Sequence, residues 1–388
     1  MAETAGLYDK RLTIKEIHCT KMKRIICILT ALILVEGIRA EGARVEGEQI
    51  WMETENGSAG MTEGMAKSKE DRRMAVVELS TIYMRIKPDY ESALETQELM
   101  GTVVEIVGES GYWREIVSPQ PYKAWATEKG LVEMSQKELE AYEAAPKVIY
   151  TELYGHIYMG PSYKSRTICD LVGGDVMRLS GNEKGKTEKL RGGWTEVMLP
   201  SGRKGYVPTR ELELHKGFIS IAQGEGSAES ISSETTEAII AEAQKLLGVP
   251  YLWGGMSAKG VDCSGLVRIS HIMNGILLPR NASQQVKCGE RVEIPRQARN
   301  DREAARNDRE AELRQEMLKR IENLERGDLV FFGTPATDEK PMRITHVGIY
   351  LGEGKIIHSS HMVRINSLIP GEEDYYENAW KMVAAVRL

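Results

Sequence analysis

Three side chains carry the plainest chemistry in this 388-residue sequence: the thiol of Cys263 and the imidazoles of His346 and His358. Leu266, Val267, Ile269 and Met273 recur at helical spacing behind the cysteine, which predicts that Cys263 opens a helix. There the unpaired backbone N–H groups and the helix dipole favour a thiolate, the nucleophilic form of the side chain. A small buried hydrophobe looks the same in sequence, so Cys263 alone does not define a site. The histidines add what it lacks. Ile344 to Leu351 alternates as a strand does, Gly352 to Gly354 can turn the chain, and Lys355-Ile356-Ile357-His358-Ser359 begins a partner strand. His346 and His358 are therefore expected near each other across one hairpin, whose register the sequence leaves open. A nucleophilic thiol, a base beside it and a third group that fixes the base's tautomer form one catalytic layout.

The elements that must position these groups begin near residue 216. Ser232 and Ser233 followed by Glu234 start a helix, Ala238, Ile239, Ala241, Leu246 and Leu247 give it an apolar face, and Gly248 with Pro250 ends it. Helix, loop, helix and then strands make residues 216–388 an α+β domain. One stretch looks foreign to it: Ala298-Arg299-Asn300-Asp301-Arg302-Glu303-Ala304 is repeated residue for residue as 305–311. So charged a repeat has little apolar surface to bury, and residues 296–318 are expected to form a solvated insertion.

Ahead of this domain lie two blocks of short apolar alternations, residues 75–134 and 147–215, as in Val103-Val104-Glu105-Ile106-Val107. They read as copies: Pro88 to Gly101 matches Pro161 to Gly174, and Trp113 to Trp125 matches Trp194 to Tyr206. The polar run from Gly181 to Leu190 lengthens a hairpin in the second copy. Ser135-Gln136-Lys137-Glu138 has capping-box spacing, so a short helix is expected over the linker 135–146.

Each block, with its Pro, Leu-x-Gly, Gly-x-Trp and closing aromatic, resembles a bacterial SH3 domain. Residues 234–388 resemble the NlpC/P60 family of papain-like cell-wall peptidases, through Tyr-x-Trp-Gly-Gly at 251–255, Asp-Cys-Ser-Gly-Leu-Val at 262–267, Arg-Gly-Asp-Leu-Val-Phe-Phe at 326–332 and His-Val-Gly-Ile-Tyr at 346–350. The resemblance implies Cys263 as nucleophile, His346 as base and His358 as the orienting residue. It also implies that Tyr251 and the backbone N–H of Cys263 serve the oxyanion. Two SH3-like domains before such a domain resemble the subgroup that cuts the γ-D-glutamyl bond to a diamino acid in stem peptides with a free N-terminal L-Ala. In that subgroup a Glu and a Tyr of the first SH3-like domain read the amine. Glu95 and Tyr122 are the candidates, because Ile168 and Arg203 stand at the same offsets in the second copy. Asp262, Ser264 and Ser283 resemble substrate contacts, although Asp262 could serve only as an N-cap. His271 is expected to be structural, His361 is an alternative to His358, and His156, His215 and Cys288 show no pattern.

At the other end, Lys23 and Arg24, an apolar stretch from Ile25 to Val35, and Gly37 and Ala40 have the parts of a cleavable export signal over 22–40. The stretch is too short for a stable membrane span, and Met22 is a candidate start. Residues 41–74 read as a tether. Cleavage would leave Cys169, Cys263 and Cys288, which have neither zinc-site nor disulfide spacing. A formal net charge of −6 argues against nucleic acid as a partner. No metal or organic cofactor is implied, and no oligomeric state is read.

The expected whole is an α+β protein, a papain-like catalytic domain preceded by two small SH3-like β-barrels. Its expected substrates are peptidoglycan stem peptides and its expected place is outside the cytoplasm. Two alternatives share these features: an endopeptidase acting on intact cross-linked wall, and a wall-binding protein whose catalytic domain is disabled by its insertion.

Overall fold

The computed structural model describes residues 72–119, 121–180, 193–221, 231–295 and 306–388. The expected export signal, nearly all of the expected tether, the polar run 181–190 and residues 296–305 of the expected insertion lie outside the described residues.

Seven strands form the first sheet: β1 (Arg73–Val77), β2 (Thr81–Arg85), β3 (Leu94–Leu99), β4 (Val103–Ser110), β5 (Trp113–Ser118), β6 (Tyr122–Thr127) and β7 (Leu131–Met134). A second set of seven follows: β8 (Lys147–Tyr150), β9 (Tyr154–Tyr158), β10 (Thr167–Val172), β11 (Val176–Leu179), β12 (Trp194–Met198), β13 (Lys204–Pro208) and β14 (Leu212–His215). The orders β3-β2-β6-β5-β4-β1-β7 and β10-β9-β13-β12-β11-β8-β14 are the same order shifted by seven. Alternate residues point inward, so each sheet closes on its own small core: Ile82, Met84, Val104, Ile106 and Ile116 in the first, Ile157, Leu171, Met177, Val197 and Val207 in the second. The matched glycines are matched in conformation too, Gly101 at φ +88° and Gly174 at φ +93°. Between the sheets runs α1 (Gln136–Ala144), its capping box formed by Ser135 and Glu138.

The remainder is α+β. Helix α2 (Ser233–Lys245) packs on α3 (Cys263–Ile272), and α3 lies against a six-stranded sheet. That sheet, in the order β19-β24-β20-β21-β22-β23, comprises β19 (Glu290–Val292), β20 (Leu329–Thr334), β21 (Arg343–Gly352), β22 (Lys355–Ser360), β23 (Met362–Ser367) and β24 (Met382–Arg387). Short pairings of β15 (Ile219–Ser220) with β18 (Ile276–Leu277) and of β16 (Met256–Ser257) with β17 (Gly260–Val261), together with α4 (Ala282–Gln285), complete it. Its main core joins Leu266, Val267 and Ile269 of α3 to Val347, Ile349 and Ile357 of the sheet.

The insertion departs from its expectation. Helix α5 (Arg306–Arg320) does not stand wholly in solvent, because Met317, with Ile321 and Leu324 just beyond it, is buried in a second core with Phe332, Tyr350 and Leu368. Arg320 donates to the backbone oxygens of Trp380 and Met382, fastening that end of the helix to the sheet. The charged repeat hides an apolar stripe that begins after it.

Candidate active site

Cys263 is the first residue of α3 and is buried at 8% exposure. Asp262 caps the helix: its Oδ1 accepts from Gly265 N at 2.6 Å and its Oδ2 from Gly254 N at 2.9 Å. The helix start favours a thiolate less than its environment opposes one. Burial, and then the Asp262 carboxylate, push the thiol up to about 12, while hydrogen bonding from the backbone of Val347 and Ser264 offsets only part of this. Cys263 therefore rests as a thiol, and to act as a nucleophile it would need a neighbouring base to take its proton.

The hairpin brings two imidazoles, the candidates for that base. β21 and β22 pair with Ile349 opposite Ile357, a register that sets Gly348 across from His358 and leaves His346 diagonal to it. His346 and His358 meet, Nε2 to Nδ1, at 2.7 Å. A side chain on Gly348 would crowd His358, since an added Cβ would lie 3.2 Å from the His358 Cβ. The thiol accepts hydrogen bonding from Val347, the residue after His346, so this strand faces the start of α3. Tyr376 lies against both imidazoles, with ring centroids 5.7 Å from His346 and 4.6 Å from His358.

Burial, then His358 and Arg364, hold His346 well below the ordinary histidine value of 6.5; burial pushes His358 down to about 4. His346 is thus neutral, the state a base would require, and loses it only on acidification. The acid limb of kcat/KM is expected below pH 6.5, because activity falls as His346 gains a proton and its affinity for that proton is depressed. A pH profile of peptide turnover with an inflection at or above 6.5 would contradict the assignment.

Tyr251 has its phenol partly buried near the thiol: burial raises it above the ordinary phenol range, and the negative charge of an ionised Cys263 adds to this. It therefore stays a hydroxyl donor, as an oxyanion partner requires. Its backbone N–H donates to the carbonyl of His361 at 2.8 Å, so His361 lies at the β22–β23 turn, at φ +62°, and not against His346. His271 is fully inside α3, where its Nδ1–H donates to Val267 O at 2.7 Å.

The substrate-contact candidates separate. Ser283 is exposed on α4, open to a ligand. Asp262 and Ser264 are both buried, and bonds within the protein engage them. Ser264 donates to Asp262 at 3.2 Å. Both accept from Arg280, which is 2% exposed. Sequence reasoning passed over Arg280, yet it is the centre of this region. Its five N–H groups meet five contacts: Nε to Thr96 Oγ1 at 2.7 Å, Nη1 to Asp262 Oδ1 and Ser264 Oγ at 3.0 Å each, Nη2 to Asp262 Oδ2 at 2.6 Å and to Gly255 O at 3.4 Å. Thr96 belongs to the first sheet, so that sheet is bonded into the support of Cys263.

Glu95 and Tyr122 arrive at the same border. The Tyr122 hydroxyl donates to Glu95 Oε1 and accepts from Asn281 Nδ2 at 3.5 Å. Burial, and then this bond, raise Tyr122 above the ordinary phenol range. Gly254, at φ +74°, packs on the Glu95 backbone so closely that an added Cβ would lie 3.0 Å from it, so a larger residue there would be strained in its backbone and would have to push Glu95 aside. Among the described residues no cluster of His, Cys, Asp and Glu could hold a metal ion.

A thiol at a helix start, set against a sheet that carries two paired imidazoles, is the arrangement that a papain-like cysteine peptidase needs. Residues 248–385 match the NlpC/P60 family, and the chain carries an NlpC/P60 domain and is a cysteine peptidase. It is 27% identical over 285 residues to a γ-D-glutamyl-L-lysine dipeptidyl-peptidase of Bacillus cereus, covering 71% of this chain and 70% of that one. It is 26% identical over 298 residues to the enzyme of the same name from Bacillus subtilis, covering 76% and 81%. Among solved structures, an NlpC/P60 family protein from Bacillus cereus superposes with a TM-score of 0.58 at 21% identity, over 81% of this chain and 99% of that one.

Proposed function

We propose that this chain hydrolyses the γ-D-glutamyl to diamino acid bond of peptidoglycan stem peptides that present a free N-terminal L-Ala. The observation that carries this is the Glu95–Tyr122 pair: a carboxylate and a hydroxyl from the first sheet, set beside Gly254 and Asn281 at the edge of the nucleophile's support. An ammonium is what such a pair binds, since the carboxylate supplies charge and the phenol oxygen a further acceptor. The relatives' names specify the same bond and the same dipeptide release. In this reading residues 75–134 and 147–215 are two SH3-like domains, 216–388 is the peptidase domain, and only the first SH3-like domain contributes to the cleft.

The Cys263 thiol attacks the γ-carbonyl as its proton passes to His346; Tyr251 and the backbone N–H of Cys263 hold the oxyanion; the departing amine takes the proton from His346. Water then releases the acyl-enzyme, with His346 as base again. Such chemistry on wall peptides calls for export, which a cleavable signal over 22–40, as expected from the sequence, would provide. No helix among the described residues is long and apolar enough to cross a membrane.

The test compares L-Ala-γ-D-Glu-L-Lys with the same peptide acetylated on alanine. Turnover is expected for the free amine alone. Glu95→Gln and Tyr122→Phe are expected to lower kcat/KM on the free peptide by about 10- to 100-fold, the worth of a charge-assisted bond, without improving the acetylated one. Equal turnover of both peptides by the parent would favour an endopeptidase on intact wall; no turnover of either would favour a binding protein.

A further inference from the structure

His358 has a second partner that the catalytic trio does not include. Its Nε2 lies 2.9 Å from Oδ1 of Asn366 on β23. In the β22–β23 register Arg364 stands opposite His358, so Asn366 is diagonal to it, as His346 is on the other side. His346, His358 and Asn366 thus form one diagonal row across three neighbouring strands.

The direction of the proton in this row is fixed at its far end. Asn366 Nδ2 donates to the backbone oxygen of Asp374 at 2.6 Å, and Ser367 N donates to the same oxygen at 3.0 Å. A carbonyl can only accept, so the Asn366 amide must turn Nδ2 toward Asp374 and Oδ1 toward His358. Oδ1 can only accept as well, and His358 must therefore carry its hydrogen on Nε2. A neutral imidazole has one N–H, which leaves His358 Nδ1 as an acceptor and requires His346 to donate from Nε2. The lone pair of His346 is then on Nδ1, the atom left to take the thiol proton.

We propose that Asn366 is a positioning residue that selects the base-competent tautomer of His346, acting through His358. This rests on the assignment of Cys263 and His346 to catalysis. The depressed proton affinity of His358 helps, because a doubly protonated His358 would donate from Nδ1 and force the opposite tautomer on His346. The groups facing His358 are His346 from β21, Asn366 and Arg364 from β23, and the Tyr376 ring; none is an acid.

The experiment uses the full exported chain, with L-Ala-γ-D-Glu-L-Lys as substrate and two variants. Asn366→Leu is expected to lower kcat by about 10- to 100-fold with KM changed less than about two-fold, at all pH values, the scale typical of losing an orienting partner. Asn366→Asp places a carboxylate beside His358, favours its protonated form and so moves the acid limb of kcat/KM upward, with activity recovering as pH rises. Long-range ¹H–¹⁵N correlation of the imidazoles reads the tautomer without activity: His346 is expected to carry hydrogen on Nε2 in the parent and to become a mixture in Asn366→Leu. Unchanged kcat and pH profile in both variants, or hydrogen on Nδ1 of His346 in the parent, overturns the proposal. If Asn366→Leu fails to fold, the parent tautomer and the Asn366→Asp limb decide it. Failure of the parent to hydrolyse the peptide would instead sink the catalytic assignment, and the imidazole spectra separate the two failures.

Discussion

Replacing Cys263 by alanine is expected to lower turnover of L-Ala-γ-D-Glu-L-Lys by about 10⁴-fold or more, while the protein stays folded. The size follows from the mechanism: without Sγ no acyl-enzyme forms, and water must attack the γ-carbonyl with only the oxyanion donors and binding to help it. Retention of the fold follows from the site. Alanine is at home in the first turn of a helix, and Asp262 would still accept from Gly265 and Gly254. The buried thiol contributes one small apolar group to the core, so the thermal midpoint should move little. Activity of the alanine variant within about 100-fold of the parent would show that another nucleophile acts.

Arg280→Met is expected to cost about 3 to 5 kcal/mol of stability, the largest effect of any single substitution away from the nucleophile. The guanidinium is buried and all five of its N–H groups are engaged. A methionine would fill much of its volume but leave the Asp262 carboxylate buried without a counter-charge and Thr96 without its donor. Asp262 would keep its bonds from Gly254 and Gly265, so the helix cap survives in form while its charge is uncompensated. Denaturant unfolding should show a lower midpoint at unchanged slope. A loss under about 1 kcal/mol would mean that water or another cation takes over the role of Arg280.

What the sequence could reveal follows from how local each signal is. The thiol at the start of α3 and the hairpin carrying two histidines were legible because helical and alternating periodicity act over a few residues. The repeated sheets were legible because two spacings coincide in the two copies, and their strand orders match. The row from His346 to Asn366 was not, since a diagonal contact depends on the register of two strand pairs at once. Arg280 gave no signal either: a lone arginine between Pro279 and Asn281 reads as a surface residue until its five acceptors are brought together from distant parts of the chain. The docking of α5 was missed for a different reason. Leu313, Met317 and Ile321 recur at intervals of four and Leu324 follows three later, a helical stripe that the adjoining charged repeat obscured.

The groups that the first sheet lends to the nucleophile's support are made long before the groups that use them. Thr96 Oγ1 waits for Arg280, 184 residues later, and Gln97 Oε1 accepts from Met256 N, 159 residues later. A chain growing from its N-terminus can therefore close the first sheet on its own core while α3 is still unmade, since domains fold as units during synthesis. The finished sheet is then a template in place when the Asp262 cap and Cys263 emerge. A nascent chain that stops short of residue 263 carries the segment bearing Glu95 and Tyr122 without the Cys263 thiol, and synthesis passes through no stage in which that thiol has been added and the segment has not.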